Sequence, residues 1–216
     1  MNLKTRTIQL ISQRKFAELV DLVDQDKRAV KYLYSLLYDP ESTDKWNAVD
    51  ALGYLARKLA DKDKEFFRNI IRRFLWMMNE EGGNSSWSAP EAIGEIIYNQ
   101  PELFGDLAPM MIAAALDEAI FQKGMLWSVG RFGEKIPDEV QKFEEEIMEF
   151  LYSEDLEIMG LAIRAVGNSG FKKAIPILQT MSKKNDKLIQ IYTNGTKHKV
   201  TIETLVREAL SKLEAK

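Results

Sequence analysis

Three tryptophans each sit one helical turn from a charged side chain: Trp46 with Asp50, Trp87 with Glu91, and Trp127 with Arg131. Arg164 occupies the matching place in a fourth segment. A flat indole beside a fixed charge suits recognition. The ring covers an apolar surface and the charge orients it, and tryptophan and arginine often dominate binding interfaces. The same indoles also suit filling gaps between packed helices, since large aromatics bury most of their area. From the residues alone both uses stay open.

Carriers of catalysis are few. The chain has no cysteine, which removes disulfides, thiolate metal sites and cysteine nucleophiles, and it has one histidine, His198. There is no phosphate loop, no Gly-x-Ser-x-Gly and no His-Glu-x-x-His. Carboxylates are plentiful but fall on periodic surface faces. No catalytic residue, metal site or cofactor is expected. The formal net charge of −3 over 216 residues gives no reason to expect nucleic acid or an anionic membrane as partner.

The elements that position these residues repeat along the chain. Four segments align: WNAVDALG at 46–53, WSAPEAIG at 87–94, KGMLWSVG at 123–130 and GLAIRAVG at 160–167. Each ends in a small residue, an aliphatic residue and glycine, and three have alanine five places before the glycine. The glycines at 53, 94, 130 and 167 set a period that fits a pair of helices with two turns. At 100° per residue, positions eight, five and one before each glycine share a face, which packs within the pair. The glycine lies on another face, where a missing side chain admits the helix of the next repeat. Between these segments run apolar stripes at helical spacing: Phe66, Ile70, Phe74 and Met77; Leu107, Met110, Met111 and Ala114; Val140, Phe143, Ile147 and Phe150; Ala174, Ile177, Leu178 and Met181.

The stretch RAVGNSGFKKAIPILQTM at 164–181 resembles the HEAT-like repeat also called the PBS-lyase repeat, with Gly167, Gly170, Ala174, Ile175 and Pro176 at the characteristic places. The other repeats match its first half, and the resemblance spans roughly residues 28 to 216. It implies a right-handed superhelix of helix pairs and a binding or scaffolding role, without implying lyase activity. The expected fold is all-α, an α-α superhelix of about five HEAT-like helix pairs in a single domain over residues 1–216, with N-terminal cap helices over about 1–27.

One segment departs from the helical pattern. LIQIYTNGTKHKVTI, at 188–202, has β-branched and aromatic residues on both sides of Asn194-Gly195, a dipeptide that favours the two-residue turn of a hairpin. A hairpin inserted at about 188–201 pairs Ile189 with Val200 and Ile191 with His198, and its apolar face should rest on the final helices.

The remaining expectations concern surfaces. The residues from 79 to 86, rich in glycine and acid, should form a loop feeding Trp87, with Ser88 and Glu91 as a capping box. Acidic residues gather at 134–157 and lysines at 172–199, with a smaller basic cluster at Arg68, Arg72 and Arg73. These read as solvated surface, or as charged ends that guide a partner or self-association. The longest apolar run, 107–116, is far short of the roughly 20 residues of a membrane span, and the first residues lack the apolar core of a signal peptide. A soluble, cytoplasmic protein is expected.

The functional expectation is a non-enzymatic scaffold that takes a protein or peptide in the inner groove, contacted by Trp46, Asp50, Trp87, Glu91, Trp127, Arg131 and Arg164. A second reading is carried by WNAVD and WSAPE, which resemble the tryptophan followed four residues later by an acid in HEAT-like DNA glycosylases of the alkylation-repair family. That resemblance implies removal of damaged bases.

Overall fold

The computed structural model describes residues 1–39, 42–79, 87–181 and 187–215. The residues expected to form the loop ahead of Trp87 fall, from 80 to 86, outside the described residues, as do Lys183 and Lys184.

Two helices, α1 (Leu3–Ser12) and α2 (Phe16–Gln25), open the chain. Five helix pairs follow. The first helix of each pair is short or broken except in the second: α3 (Lys31–Tyr34), the continuous α5 (Lys64–Met78), α8 (Ala108–Leu116) after the single turn α7 (Pro101–Phe104), α10 (Pro137–Gln141) with α11 (Glu144–Glu149), and α13 (Ile175–Met181). The second helices are α4 (Thr43–Leu59), α6 (Ala89–Asn99), α9 (Ala119–Phe132), α12 (Leu156–Ser169) and α14 (Ile202–Glu214). They stack in that order, each against the next, to form an α-α superhelix with one continuous apolar core.

Local chemistry sets the boundaries of these helices. Ser42 caps α4 by accepting from the Asp44 amide, with Asp44 in the first turn and Arg57 and Lys58 in the last, where they complement the helix dipole. Asp155 caps α12 by accepting from the amides of Glu157 and Ile158 at 2.8 and 3.3 Å. Gly170 ends that helix at φ 78°, a left-handed conformation that glycine adopts without strain. The expected capping box at α6 does not form. Ser88 makes no side-chain cap bond, its hydroxyl is buried without a partner among the described residues, and the Glu91 carboxylate turns to a lysine of the preceding repeat.

The patterned glycines lie where successive second helices touch. A Cβ on Gly53 would fall 2.6 Å from Glu95, and one on Gly94 would meet Ser128. One on Gly167 would fall 2.7 Å from the Ala209 Cβ, a collision that requires the helices to shift. Gly130 is looser, because its Cβ would sit 3.4 Å from Arg164, an ordinary contact. The neighbouring face packs inside each pair as expected: Ala48, Ala89 and Ala162 are fully buried, as are Leu52, Ile93, Val129 and Val166. One stripe residue departs from its expected place. Met110 is 56% exposed, because α8 buries Met111 and Ile112 instead.

Between α13 and α14 the chain forms an antiparallel hairpin, β1 (Leu188–Thr193) and β2 (Thr196–Thr201). Ile189 pairs with Val200 and Ile191 with His198, in the expected register. Ile189 packs toward Gly160, Ile202 and Leu205, while His198 is exposed. Thr201 then caps α14 by accepting from the Thr204 amide.

Candidate functional site

The hairpin rests on the final helices only at its base. Its far end runs across the face of the second helices and reaches the first pair, a placement the sequence did not suggest. The Tyr192 ring stacks on Trp46, with centroids 4.1 Å apart and planes at 12°. Its phenol donates to the Asp50 carboxylate. Arg14, just past the end of α1, donates to Asp50 at 2.6 Å, to Asn47 at 2.8 Å and to the Tyr192 oxygen at 3.3 Å. Burial, with the bond to Asp50, pushes the Tyr192 phenol above its usual range, so the hydroxyl stays protonated and donating. On the other side, the Trp127 indole N–H donates to the Tyr192 carbonyl at 2.8 Å and its ring tilts against Trp46 at 5.0 Å. Arg131 donates to the Asn194 side chain at 3.2 Å.

Beneath the hairpin, charged residues link one second helix to the next. Lys45 on α4 pairs with Glu91 on α6 at 2.9 Å, and both side chains are under a tenth exposed. The Lys45 ammonium also sits 4.7 Å from the Trp46 ring centre, a cation–π contact. Glu91 Oε2 is buried and has no hydrogen-bond donor among the described residues. Glu95 on α6 takes two bonds from Arg131 on α9, at 3.0 and 2.9 Å. Burial pushes the Glu95 carboxyl up in spite of that partner. Burial also pulls on Arg131, but the bonds to Glu95 outweigh it and leave the guanidinium raised. Arg164 on α12 is the next member of the row. Burial and then the charge of Arg131 lower it, and its Nη1 finds no acceptor among the described residues.

Where the hairpin departs from the helix ends, a cleft of about 550 Å³ remains open. Trp46 and Trp127 border it, Lys45 and Glu91 lie beside them, and β1 forms one wall. Three exposed apolar side chains stand on its rim: Trp87, 48% exposed, Ile120 and Leu188. Lys123, bonded to Glu157 at 2.7 Å, and Lys197 also line it. The size lies within the usual range for a site that holds a small molecule or a short peptide segment.

The seven residues singled out in the sequence therefore divide. Trp46, Trp87, Glu91 and Trp127 border the open cleft. Asp50 and Arg131 hold the end of the hairpin. Arg164 is packed against Gly130, between the helices. The acid beside Arg131 is Glu95, one turn beyond Glu91. That pairing had a sequence signal: Glu95 directly follows Gly94 as Arg131 follows Gly130, which puts opposite charges at equivalent places one repeat apart. Lys45 and Tyr192 were missed. Lys45 precedes the first patterned tryptophan without any repeat counterpart, and the position of Tyr192 depends on where the hairpin docks.

Parts of the other charged clusters are paired within the chain. Arg68 binds Asp106, Arg72 binds Glu65 at 3.3 Å, and Arg73 lies over Tyr34. Burial pushes the Tyr34 phenol up to about 12. Lys173 bridges Glu144 and Glu145, which joins the basic and acidic stretches to each other. Among the described residues no group of acids and histidine is placed to hold a metal ion, and no helix is long and apolar enough to cross a membrane.

No family model matches the chain. It is similar to an uncharacterized protein of Archaeoglobus fulgidus, 23% identical over 180 residues that cover 82% of this chain and 92% of the relative. Among solved structures, it is similar to an engineered protein at TM-score 0.59 and 15% identity, covering 100% of this chain and 98% of the other. It is also similar to a designed armadillo repeat protein in complex with the peptide (KR)4, at TM-score 0.58 and 16% identity, over 99% of this chain and 100% of the other. The fold is a helical-repeat superhelix of the kind seen in designed armadillo repeat proteins.

Proposed function

We propose that this chain is a non-enzymatic, cytoplasmic scaffold that binds a protein or peptide segment in the cleft between the hairpin and the second helices. The observation that carries the reading is the convergence of Trp87, Ile120 and Leu188, all exposed, around a floor made by Trp46 and Trp127. Exposed aromatic and aliphatic side chains gathered at one opening are the usual mark of a binding surface. The similarity to a designed repeat protein that carries a peptide supports a peptide as the kind of ligand this fold accommodates. In this reading Trp46, Trp87, Glu91 and Trp127 contact or underlie the ligand. Asp50 and Arg131 act indirectly by fixing the hairpin wall, and Arg164 acts by packing.

Base excision is not favoured. Asp50 is engaged by Arg14 and Tyr192, and Glu91, although it borders the cleft, is paired with Lys45, so both acids are already committed to partners within the chain. A net charge of −3 also offers little to a phosphate backbone.

Selection of a displayed library of random decapeptides against the intact protein tests the proposal. Enriched sequences should bind the parent and lose at least tenfold in affinity to Trp87→Ala, a substitution at a half-exposed position that leaves the fold intact. If no sequence is enriched, or if enriched peptides bind Trp87→Ala as well as the parent, the cleft is not the binding site.

A further inference from the structure

We propose that the occupant of the cleft is an extended segment of another protein, bearing an acidic side chain, which adds to the hairpin as a third strand along the outer edge of β1; this rests on the peptide-binding reading above.

The pairing of the hairpin defines that edge. Asn194 and Gly195, at φ 49° and 92°, form a two-residue turn closed by Thr193 opposite Thr196. In an antiparallel ladder, residues that exchange both backbone hydrogen bonds alternate with residues whose N–H and C=O point away from the partner strand. Counting from the closing pair, Ile191 and Ile189 bond to β2, whereas Tyr192, Gln190 and Leu188 point outward. Two contacts agree with this count. At the base, the Ile202 N–H donates to the Lys187 carbonyl at 3.1 Å, and at the far end the outward Tyr192 carbonyl is taken by Trp127. The outward N–H and C=O of Gln190 meet no hydrogen-bond partner among the described residues. All five residues from 188 to 192 border the cleft, and from β2 only Lys197 does, so the unpaired edge faces the opening. With the Tyr192 carbonyl taken by Trp127, the free edge runs from Leu188 to Ile191, about 10 Å at about 3.3 Å per residue, room for roughly three residues of a strand. An unpaired strand edge is a ready template for another chain.

Side chains and charge narrow the occupant. Alternate residues of an added strand would reach Trp87, Ile120 and Leu188, which favours apolar groups there. Each carboxylate that lines the cleft already has a lysine, Glu91 with Lys45 and Glu157 with Lys123. Lys197, opposite Tyr192, has no ion-pair partner among the described residues. Lys123 is shared between Glu157 and Asp155, so the cleft-lining charge on the hairpin that stands without a counter-charge among the described residues is Lys197, and an acidic residue beside it complements it where a basic one does not. A second copy of this chain is disfavoured, because the β1 edge it would offer is itself part of the wall of this cleft.

Four blocked hexapeptides added to the intact protein test the inference: isoleucine alternating with glutamate, isoleucine alternating with lysine, and two versions of the glutamate peptide, each N-methylated on one alternate set of amides. Hydrogen exchange at the Gln190 amide is followed alongside affinity. The glutamate peptide should slow Gln190 exchange at least tenfold, the lysine peptide should bind at least fivefold more weakly, and one of the two N-methylation patterns should abolish binding. Lys197→Glu should reverse the charge preference. Binding that leaves Gln190 exchange unchanged, or that tolerates both N-methylation patterns, overturns strand addition but leaves a peptide-binding cleft standing. Failure of both unmethylated peptides also overturns it, and the library selection above then decides the cleft separately. Protection of Gln190 that appears without peptide and grows with protein concentration identifies a second copy as the occupant and overturns it as well.

Discussion

Tyr192 lies flat on Trp46, with ring centroids 4.1 Å apart, and its phenol reaches the Asp50 carboxylate. A strand inserted in the last helix pair is thereby fastened to the second helix of the first pair. Repeat arrays usually contact only their neighbours. Here one long-range contact ties the ends of the stack together and shapes the wall of the cleft.

Replacing Tyr192 should release that tie. Tyr192→Phe removes the part-buried bond to Asp50 and the longer one accepted from Arg14, and should cost about 1–2 kcal/mol. Tyr192→Ala removes the ring as well and should cost about 3 kcal/mol. Urea unfolding measures both. The alanine variant should keep the helical far-ultraviolet circular dichroism and lose near-ultraviolet signal from Trp46 and Trp127.

Lys45→Met should be among the more damaging single changes, because it leaves the Glu91 carboxylate buried without a counter-charge. Breaking such a pair from one side costs about 3 kcal/mol, whereas replacing both charges with apolar groups of similar volume is close to neutral. The double variant Lys45→Met with Glu91→Leu should therefore recover most of the loss. A double variant as unstable as Lys45→Met alone would show that the pair matters for something other than charge compensation.

The patterned glycines should respond unequally. Gly167→Ala brings a Cβ within 2.8 Å of the Ala209 Cα and should destabilise by about 1–3 kcal/mol through overpacking. Gly130→Ala makes only ordinary contacts, so the better helix propensity of alanine should leave stability unchanged or raised by up to about 1 kcal/mol. Thermal melts of the two variants separate these outcomes.

Asp155 supplies a pH-dependent contribution. Burial raises its carboxyl, but the hydrogen bond from Lys123 and those from the backbone of Ile158 and Glu157 outweigh it, and the net shift is downward. A carboxyl lowered on folding stabilises the protein above its unfolded value of 3.8, and that stabilisation disappears as pH falls through the folded value. Asp155→Ala should cost about 1 kcal/mol at pH 7, the usual worth of a helix cap. The gap between variant and parent in urea midpoint should close as the pH is lowered below 4.

Much of the fold was legible in the residues. The glycine period marked the contacts between second helices, and Asn194-Gly195 fixed both the hairpin and its register, because a two-residue turn leaves one pairing. These are local signals. The docking of the hairpin on Trp46 and Trp127 is a contact between distant parts of the chain, and no spacing rule reports it. The site was half legible for the same reason. Helical periodicity placed the tryptophans and charges on one face. Whether Glu91 would cap its own helix, pair with Arg131 or take Lys45 depended on how the helices stack. Met110 shows the opposite error, an apolar residue at core spacing that the broken helix α8 turns outward.

The four tryptophans of the chain are built-in reporters of the central claim that the cleft is the binding site. Trp87 is on the rim of the cleft, Trp46 and Trp127 border it, and Trp76 lies 60% exposed on α5, which does not line it. Indole N–H resonances of nitrogen-15-labelled protein, titrated with a peptide enriched by the library selection, test the claim most directly. Trp87 should move most, Trp46 and Trp127 should follow, and Trp76 should stay fixed. Movement of Trp76 with the other three unchanged would contradict the claim.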